Sequence, residues 1–188
     1  MVRPTVMGMP NPKLQTRPRR LHPVEVSRTD ASSMPALDGR QSAYLLPGQL
    51  HASAEPCQIR TILGSCVAIC LWDQGQRVGG MNHFLLPSSR EGKPTSLRFA
   101  DVATRTLLEK LQRIGCHTRS LQAKIFGGSS MFQSQNRYAV SLGARNVAAA
   151  LDLLKSAGVS VAAQETGGTQ GRKIVFNTDD GMVWSRKL

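Results

Sequence analysis

The sequence predicts an α+β fold, an α/β sandwich in which mixed, largely antiparallel sheet layers pack with two main helices. Three observations support this class. Short apolar runs have the length and composition of strands, two longer segments carry the 3.6-residue stripe of amphipathic helices, and glycines lie at the joints between them. Because the order is strands, helix, strand, helix, strands, we expect layers of sheet and helix.

The first predicted elements are strands. Residues 58–63 form one strand, and Gly64 and Ser65 then turn the chain. Residues 67–72 are the longest apolar run, which is typical of a buried strand. Residues 79–86 return as its hairpin partner, with a reversal centred between Gln74 and Gly75.

The helices follow from periodicity. Residues 101–114 predict a helix that Gly115 ends, and its stripe comprises Val102, Leu107, Leu108, Leu111 and Ile114. Residues 144–157 predict a second helix that Gly158 ends, and its inward residues are expected to be Val147, Ala148, Leu151 and Leu154. The remaining predicted strands are 121–126, 160–164, 173–177 and 182–185.

The chain divides into a tail and one domain. Residues 1–40 hold more than half of the ten prolines, several arginines and almost no periodic apolar pattern, which predicts a flexible basic tail. Residues 41–188 have the size of a single domain with a sizeable core.

The net charge and the apolar runs limit the classes of function. With 24 basic against 12 acidic residues the formal charge is +12, which favours encounters with an anionic partner without naming it. Aromatic residues are few and do not cluster among basic ones, so a stacking platform for nucleic acid is not indicated. No apolar run approaches the roughly 20 residues of a membrane span.

The four cysteines, Cys57, Cys66, Cys70 and Cys116, have no zinc-finger spacing and no secretory segment before them. We therefore expect reduced thiols in the cytoplasm and neither a metal nor a cofactor. The alternative is a zinc site that draws on Cys116, His117 and His83.

Cys66 and His83 are the candidate nucleophile and base. In the predicted hairpin they lie directly opposite each other, which brings their Cβ atoms to roughly 4.5–5.5 Å, within reach of a hydrogen bond between thiol and imidazole. An imidazole that accepts the thiol proton activates a cysteine for nucleophilic catalysis. The glycines before each residue allow close approach of a ligand, and backbone N–H groups of Ser65 and Cys66 are candidates for stabilising an oxyanion.

A structural interpretation competes with this one, because free cysteine is among the most buried residue types and a hairpin core would accommodate Cys66 as packing.

A third residue is needed to orient the base. Thr61, five residues before Cys66, is the first candidate, although it is equally an ordinary β-branched strand residue. Asn82 is expected to face away from His83 on a regular strand, and Asp101 is expected to cap the first helix.

From Leu45 to about Trp184 the sequence resembles the chemoreceptor glutamine deamidases, the CheD family. Five segments carry the resemblance, in this order: Leu63-Gly64-Ser65-Cys66-Val67, Gly80-Met81-Asn82-His83-Phe84-Leu85-Leu86-Pro87, Lys124-Ile125-Phe126-Gly127-Gly128, Gly143-Ala144-Arg145-Asn146-Val147 and Gly167-Gly168-Thr169-Gln170-Gly171-Arg172.

The resemblance implies that Cys66 is the nucleophile, that His83 is the base and that a threonine just upstream completes the triad. Arg60 occupies one candidate position for that threonine and Thr61 the next. It also implies deamidation of glutamines on the cytoplasmic domain of chemotaxis receptors, without a cofactor. Some members hydrolyse glutamyl methyl esters, and a CheC-type phosphatase is the implied regulatory partner.

Two other functions stay open from the sequence. The first is a basic binding module in which the hairpin cysteine is only packed. The second is a catalytically inactive family member that docks on a CheC-type phosphatase.

Overall fold

The computed structural model describes residues 26–28, 39–88, 96–130 and 140–188, with the backbone alone for the first of these ranges. The strands are β1 Val26–Arg28, β2 Gln41–Tyr44, β3 Gln49–Ser53, β4 Cys57–Leu63, β5 Val67–Asp73, β6 Val78–His83, β7 Leu121–Gly127, β8 Ser160–Thr166, β9 Arg172–Asn177 and β10 Val183–Lys187. The helices are α1 Ala100–Arg113, a 3-10 turn Thr118–Ser120 and α2 Leu142–Ser156.

Within these ranges the strands form two five-stranded sheets. The first has the order β1-β10-β9-β4-β2 and the second the order β3-β6-β5-β7-β8. Most neighbouring strands are antiparallel, whereas β1 with β10, β2 with β4 and β7 with β8 are parallel. The predicted class, mixed and largely antiparallel sheets with two main helices, is confirmed.

Strand β5 shows how the layers stack, because its alternate residues enter two different cores. Ala68 and Cys70 join the inter-sheet core, in which the two sheets face each other. Val67, Ile69 and Leu71 join the helix-side core, where the second sheet packs against α1 and α2. The molecule therefore has three layers: sheet, sheet and helices.

Parts of the predicted helix faces are wrong. Ile114 is 36% exposed because α1 ends at Arg113, before that residue could turn inward. Ala148 and Leu151 of α2 are exposed as well. The buried face of α2 comprises Gly143, Asn146, Ala150 and Leu154. Of the predicted inward residues, Leu154 is buried and Val147 packs against the helix-side core, and the helix also approaches the sheet through Gly143 and Asn146.

The predicted tail is only partly described. β1 lies within residues 1–40 and pairs with β10, and residues 39 and 40 precede β2. The other residues of that segment lie outside the described ranges, so the flexible tail stays a prediction.

Candidate active site

His83 and Thr61 meet in the space between the two sheets. His83 is the last residue of β6 in the second sheet, and Thr61 lies on β4 in the first. Both are buried, and Thr61 Oγ1 lies 2.8 Å from His83 Nδ1. Arg60, the other candidate position, bonds to Gln58 instead. The predicted contact between Thr61 and the imidazole is therefore present.

The neighbours of Thr61 determine which ring nitrogen of His83 carries the proton. A threonine hydroxyl has one proton to donate, and Thr61 Oγ1 donates it to the carbonyl oxygen of Leu45 at 2.8 Å. The same oxygen must then accept from His83 Nδ1–H. His83 is thereby held as the tautomer with a proton on Nδ1 and a lone pair on Nε2.

Burial makes this imidazole a neutral base. It lowers the pKa of His83 to about 4, and the nearby Leu45 carbonyl opposes the shift only in part. His83 is therefore uncharged at neutral pH. Its Nε2 is buried and has no hydrogen-bond partner among the described residues. That lone pair is available to accept a proton.

Cys66 lies in the turn between β4 and β5 and packs on the inter-sheet core, the side that His83 also faces. It is partly exposed, whereas Cys57, Cys70 and Cys116 are buried. Burial raises the pKa of the Cys66 thiol, and the residue's own backbone N–H offsets part of that shift. At neutral pH the free protein therefore holds a neutral thiol and a neutral imidazole on the same side of the sheet, and not an ion pair.

The predicted register of the hairpin is wrong. Cys70 pairs with Met81, and Val67 pairs with Phe84, so Cys66 lies level with Leu85 and diagonal to His83. Diagonal neighbours are roughly 7–8 Å apart at Cα, within reach of long side chains. The expected hydrogen bond between imidazole and thiol is not formed, because Nε2 has no partner in the part of the chain that the structure describes.

The loop of the hairpin explains the shift. β5 ends at Asp73, whose Oδ1 accepts hydrogen bonds from Gly75 N–H at 2.9 Å and Gln76 N–H at 3.1 Å. Arg77 follows with a φ of 58°, so four residues and not two connect the strands. A slip of two residues leaves every side chain on its predicted face. Cys66 and His83 therefore still share one side of the sheet.

Asn82 departs from the ladder beside the site. Its Oδ1 accepts from the N–H of Ile69 at 2.9 Å, at a point where the regular pairing of β5 with β6 is interrupted. Neither ring nitrogen of His83 bonds to Asn82, since Nδ1 contacts Thr61 and Nε2 has no partner among the described residues.

Asp101 and Cys116 are the two further candidates from the sequence. Asp101 Oδ1 accepts from Val102 N–H in the first turn of α1, whose N-cap is Phe99, so the expected cap at Asp101 is wrong. Cys116 belongs to the helix-side core, on the other side of the sheet from His83. Among the described residues no group of three or more His, Cys, Asp or Glu is placed to hold a metal ion.

Residues outside the predicted site hold the cysteine turn. Gly128 N–H donates to the Cys66 carbonyl at 2.8 Å. Gly127 has a φ of 105°, and a Cβ there would lie 2.2 Å from the same carbonyl oxygen. Only glycine allows β7 to pass so close to the turn.

Asn146 of α2 also contacts the turn, and sequence reasoning gave it no role. Its Nδ2 donates to the carbonyl oxygens of Ser65 at 2.9 Å and Leu85 at 2.8 Å. The available signal was an asparagine within the periodic segment of a predicted helix, three residues after a glycine.

The comparisons with known proteins agree with the resemblance seen in the sequence. The model of the CheD family, described as CheD chemotactic sensory transduction, matches residues 85–187. A relative from Anaeromyxobacter dehalogenans, named probable chemoreceptor glutamine deamidase CheD 1, is 48% identical over 84% of this chain and 91% of its own length. The chain belongs to the CheD family.

Two other relatives carry the same family name. The chemoreceptor glutamine deamidase CheD of Thermotoga maritima is 39% identical over 75% of this chain and 88% of its own. A probable deamidase of the same name from Trichlorobacter lovleyi is 43% identical over 74% and 86%. The segment matched by the CheD family model begins two residues after His83. Cys66, His83 and Thr61 therefore lie before the segment that the family model matches.

In this CheD-family chain, neither helix of the described ranges has the length and apolar character that a membrane span requires.

We expect iodoacetamide to alkylate Cys66 before the other three cysteines, because its side chain is partly exposed while theirs are buried. Since burial raises the pKa of the Cys66 thiol, the rate should keep rising with pH beyond about 8.5. Peptide mapping by mass spectrometry after partial labelling checks the order. An alkylation rate that no longer rises with pH near neutrality would indicate a stabilised thiolate. That result would contradict the raised pKa of the Cys66 thiol.

Proposed function

We propose that this chain is a protein-glutamine deamidase that converts glutamine side chains of chemotaxis receptors to glutamate, with Cys66 as nucleophile and His83 as general base and acid. The observation that carries the proposal is the fixed tautomer of His83, which directs a bare Nε2 to the side of the sheet on which Cys66 lies. The names of the relatives supply the substrate.

The first half of the reaction forms a thioester. Cys66 Sγ attacks the carboxamide carbon of the glutamine as its proton passes to His83 Nε2, so that a C–S bond forms and the carbonyl oxygen becomes an oxyanion. Backbone N–H groups of Ser65 and Cys66 stabilise that charge. The imidazolium then protonates the amide nitrogen, the C–N bond breaks and ammonia leaves.

The second half regenerates the thiol. Water takes the place of ammonia, and neutral His83 accepts its proton as the oxygen attacks the thioester carbon. The C–S bond then breaks, sulfur recovers the proton from the imidazolium, and the product is glutamate. The sum is glutamine plus water giving glutamate plus ammonia, and no step draws on a metal or an organic cofactor.

Thr61 acts on the base and not on the substrate. By accepting from Nδ1–H it fixes both the tautomer and the plane of the imidazole. It also stabilises the imidazolium of each intermediate, because Nδ1–H donates more strongly when the ring is charged. The carbonyl oxygen of Leu45 completes the arrangement because it accepts the hydrogen bond from the Thr61 hydroxyl, which could otherwise donate to His83 Nδ1.

The wider assignment follows the family. The substrate is the cytoplasmic domain of a receptor, so the enzyme works in the cytoplasm, and its +12 charge suits an acidic partner. Hydrolysis of glutamyl methyl esters requires only that methanol replace ammonia as the leaving group. A CheC-type phosphatase is the proposed regulatory partner.

Replacing Cys66 by alanine should abolish deamidation, because no other thiol is accessible on that side of the sheet. Intact-mass analysis of a receptor cytoplasmic fragment measures this directly, since each conversion of amide to acid adds about one mass unit. Cys70→Ala is the matched control, since Cys70 lies on the same face but is completely buried. Activity lost in the control and kept in Cys66→Ala would mean that Cys70 is the nucleophile.

Replacing Thr61 by valine, which keeps the β-branched shape, should lower kcat by roughly 10–1000-fold and leave KM nearly unchanged, since the imidazole loses its orienting partner. Thr61→Ser retains the hydroxyl and should recover most of the rate. Steady-state ammonia release with a receptor fragment checks both variants. A Thr61→Val enzyme with wild-type kcat would remove Thr61 from the mechanism.

A further inference from the structure

We propose that Asn146 is a positioning residue that fixes the orientation of the peptide between Ser65 and Cys66, so that its N–H and not its carbonyl faces the oxyanion. This inference rests on the proposed deamidase mechanism and adds a residue to it.

Asn146 is an energetically unfavourable residue at its position in α2. It lies within α2, where asparagine is a poor helix former, and it is completely buried. Its Oδ1 has no hydrogen-bond partner among the described residues. A buried polar group with an unmet acceptor destabilises the fold, so its presence calls for an explanation beyond packing.

The Nδ2 group of Asn146 joins two segments of the site. It donates to the carbonyl oxygen of Ser65 at 2.9 Å and to that of Leu85 at 2.8 Å, which uses both of its hydrogens. Ser65 precedes the nucleophile, and Leu85 lies two residues after His83. One amide therefore holds the cysteine turn and the end of the base strand together.

The hydrogen bond to the Ser65 carbonyl determines the direction of the Cys66 N–H, which belongs to the same peptide group. In a planar trans peptide the C=O and the N–H lie on opposite sides, so a Ser65 carbonyl held by α2 turns the Cys66 N–H away from the helix. That N–H belongs to the residue whose sulfur attacks the substrate in the proposed mechanism.

The neighbouring carbonyls are held in the same way. Three successive carbonyls of the turn have donors on β7, the residues after it or α2: Ser129 N–H for Gly64, Asn146 Nδ2 for Ser65 and Gly128 N–H for Cys66. Over the described ranges, the N–H groups of Ser65 and Cys66 donate to no backbone carbonyl. They are the two donors assigned to the oxyanion.

Of these three hydrogen bonds to the carbonyls of the turn, the one from Asn146 alone is donated by a side chain. The other two are backbone N–H groups, which no substitution removes cleanly. Without the amide, the Ser65 carbonyl loses its partner, and rotation of this peptide would present oxygen to the oxyanion. The thiol and the base would stay intact, whereas the stabilisation of the oxyanion would be weaker.

The test compares Asn146→Leu, which keeps the branched shape and helix propensity, and Asn146→Ala with the wild-type protein. The expected result is a fall in kcat for ammonia release from a receptor fragment of about 100–1000-fold, with KM changed by less than about 3-fold. Alkylation of Cys66 by iodoacetamide forms no oxyanion, so its rate should stay within about 3-fold of wild type. Rates are expressed per folded molecule.

Asn177→Ala is the matched control. Asn177 is also a buried amide whose Nδ2 is bonded, here to Asp180, and whose Oδ1 has no partner in the described ranges, but it lies at the end of β9 away from the cysteine turn. It should keep the wild-type kcat despite a comparable loss of stability.

The outcomes separate the two proposals. Wild-type kcat in Asn146→Leu, or alkylation and kcat that fall in parallel, would overturn the positioning role while the deamidase assignment stands. A wild-type protein that releases no ammonia would overturn the deamidase assignment, and the inference about Asn146 with it.

Discussion

The site depends on one hydrogen bond that crosses from sheet to sheet. Thr61 belongs to the first sheet and His83 to the second, and their 2.8 Å contact lies in the core where the two sheets face each other. Any slip of one sheet against the other would break it. The apolar packing around Ile59, Met81 and Phe176 therefore also sets the geometry of the base.

Burial determines the electrical state of the pair. The same low-polarity surroundings raise the pKa of the Cys66 thiol and lower that of His83 to about 4. Both shifts oppose an ion pair in the free protein. In the proposed mechanism, charge develops only during attack on the amide, when the oxyanion and the imidazolium form together. The free protein therefore holds the Cys66 thiol in its protonated form at neutral pH.

Much of this site is predictable from local sequence. The strands around Cys66, the turns and the helix boundaries follow from the spacing of apolar residues and from the glycines between the elements. The predicted bounds of the two helices agree with the structure to within about two residues. The contact of Thr61 with His83 was expected because a hydroxyl close upstream of the candidate nucleophile suits the task of orienting a base.

Other features depend on contacts between distant segments. The hairpin register was missed because the Asp73 side chain holds a four-residue loop, which no apolar pattern reveals. Likewise Asn146 acquires its role only when α2 packs against the cysteine turn, with the Gly143 backbone against Gly128. Alternation still placed the thiol and the imidazole on one face, since a shift of two residues conserves it.

The protonation state of His83 tests the account most directly. Two-bond ¹H–¹⁵N correlation spectra of the ¹⁵N-labelled protein distinguish the two imidazole nitrogens, and His83→Gln identifies the signals. The predicted spectrum shows a protonated Nδ1 and a bare Nε2, unchanged from about pH 8 to about pH 5.5, because the pKa lies near 4. A proton on Nε2, or a titration centred near pH 6.5, would contradict the account.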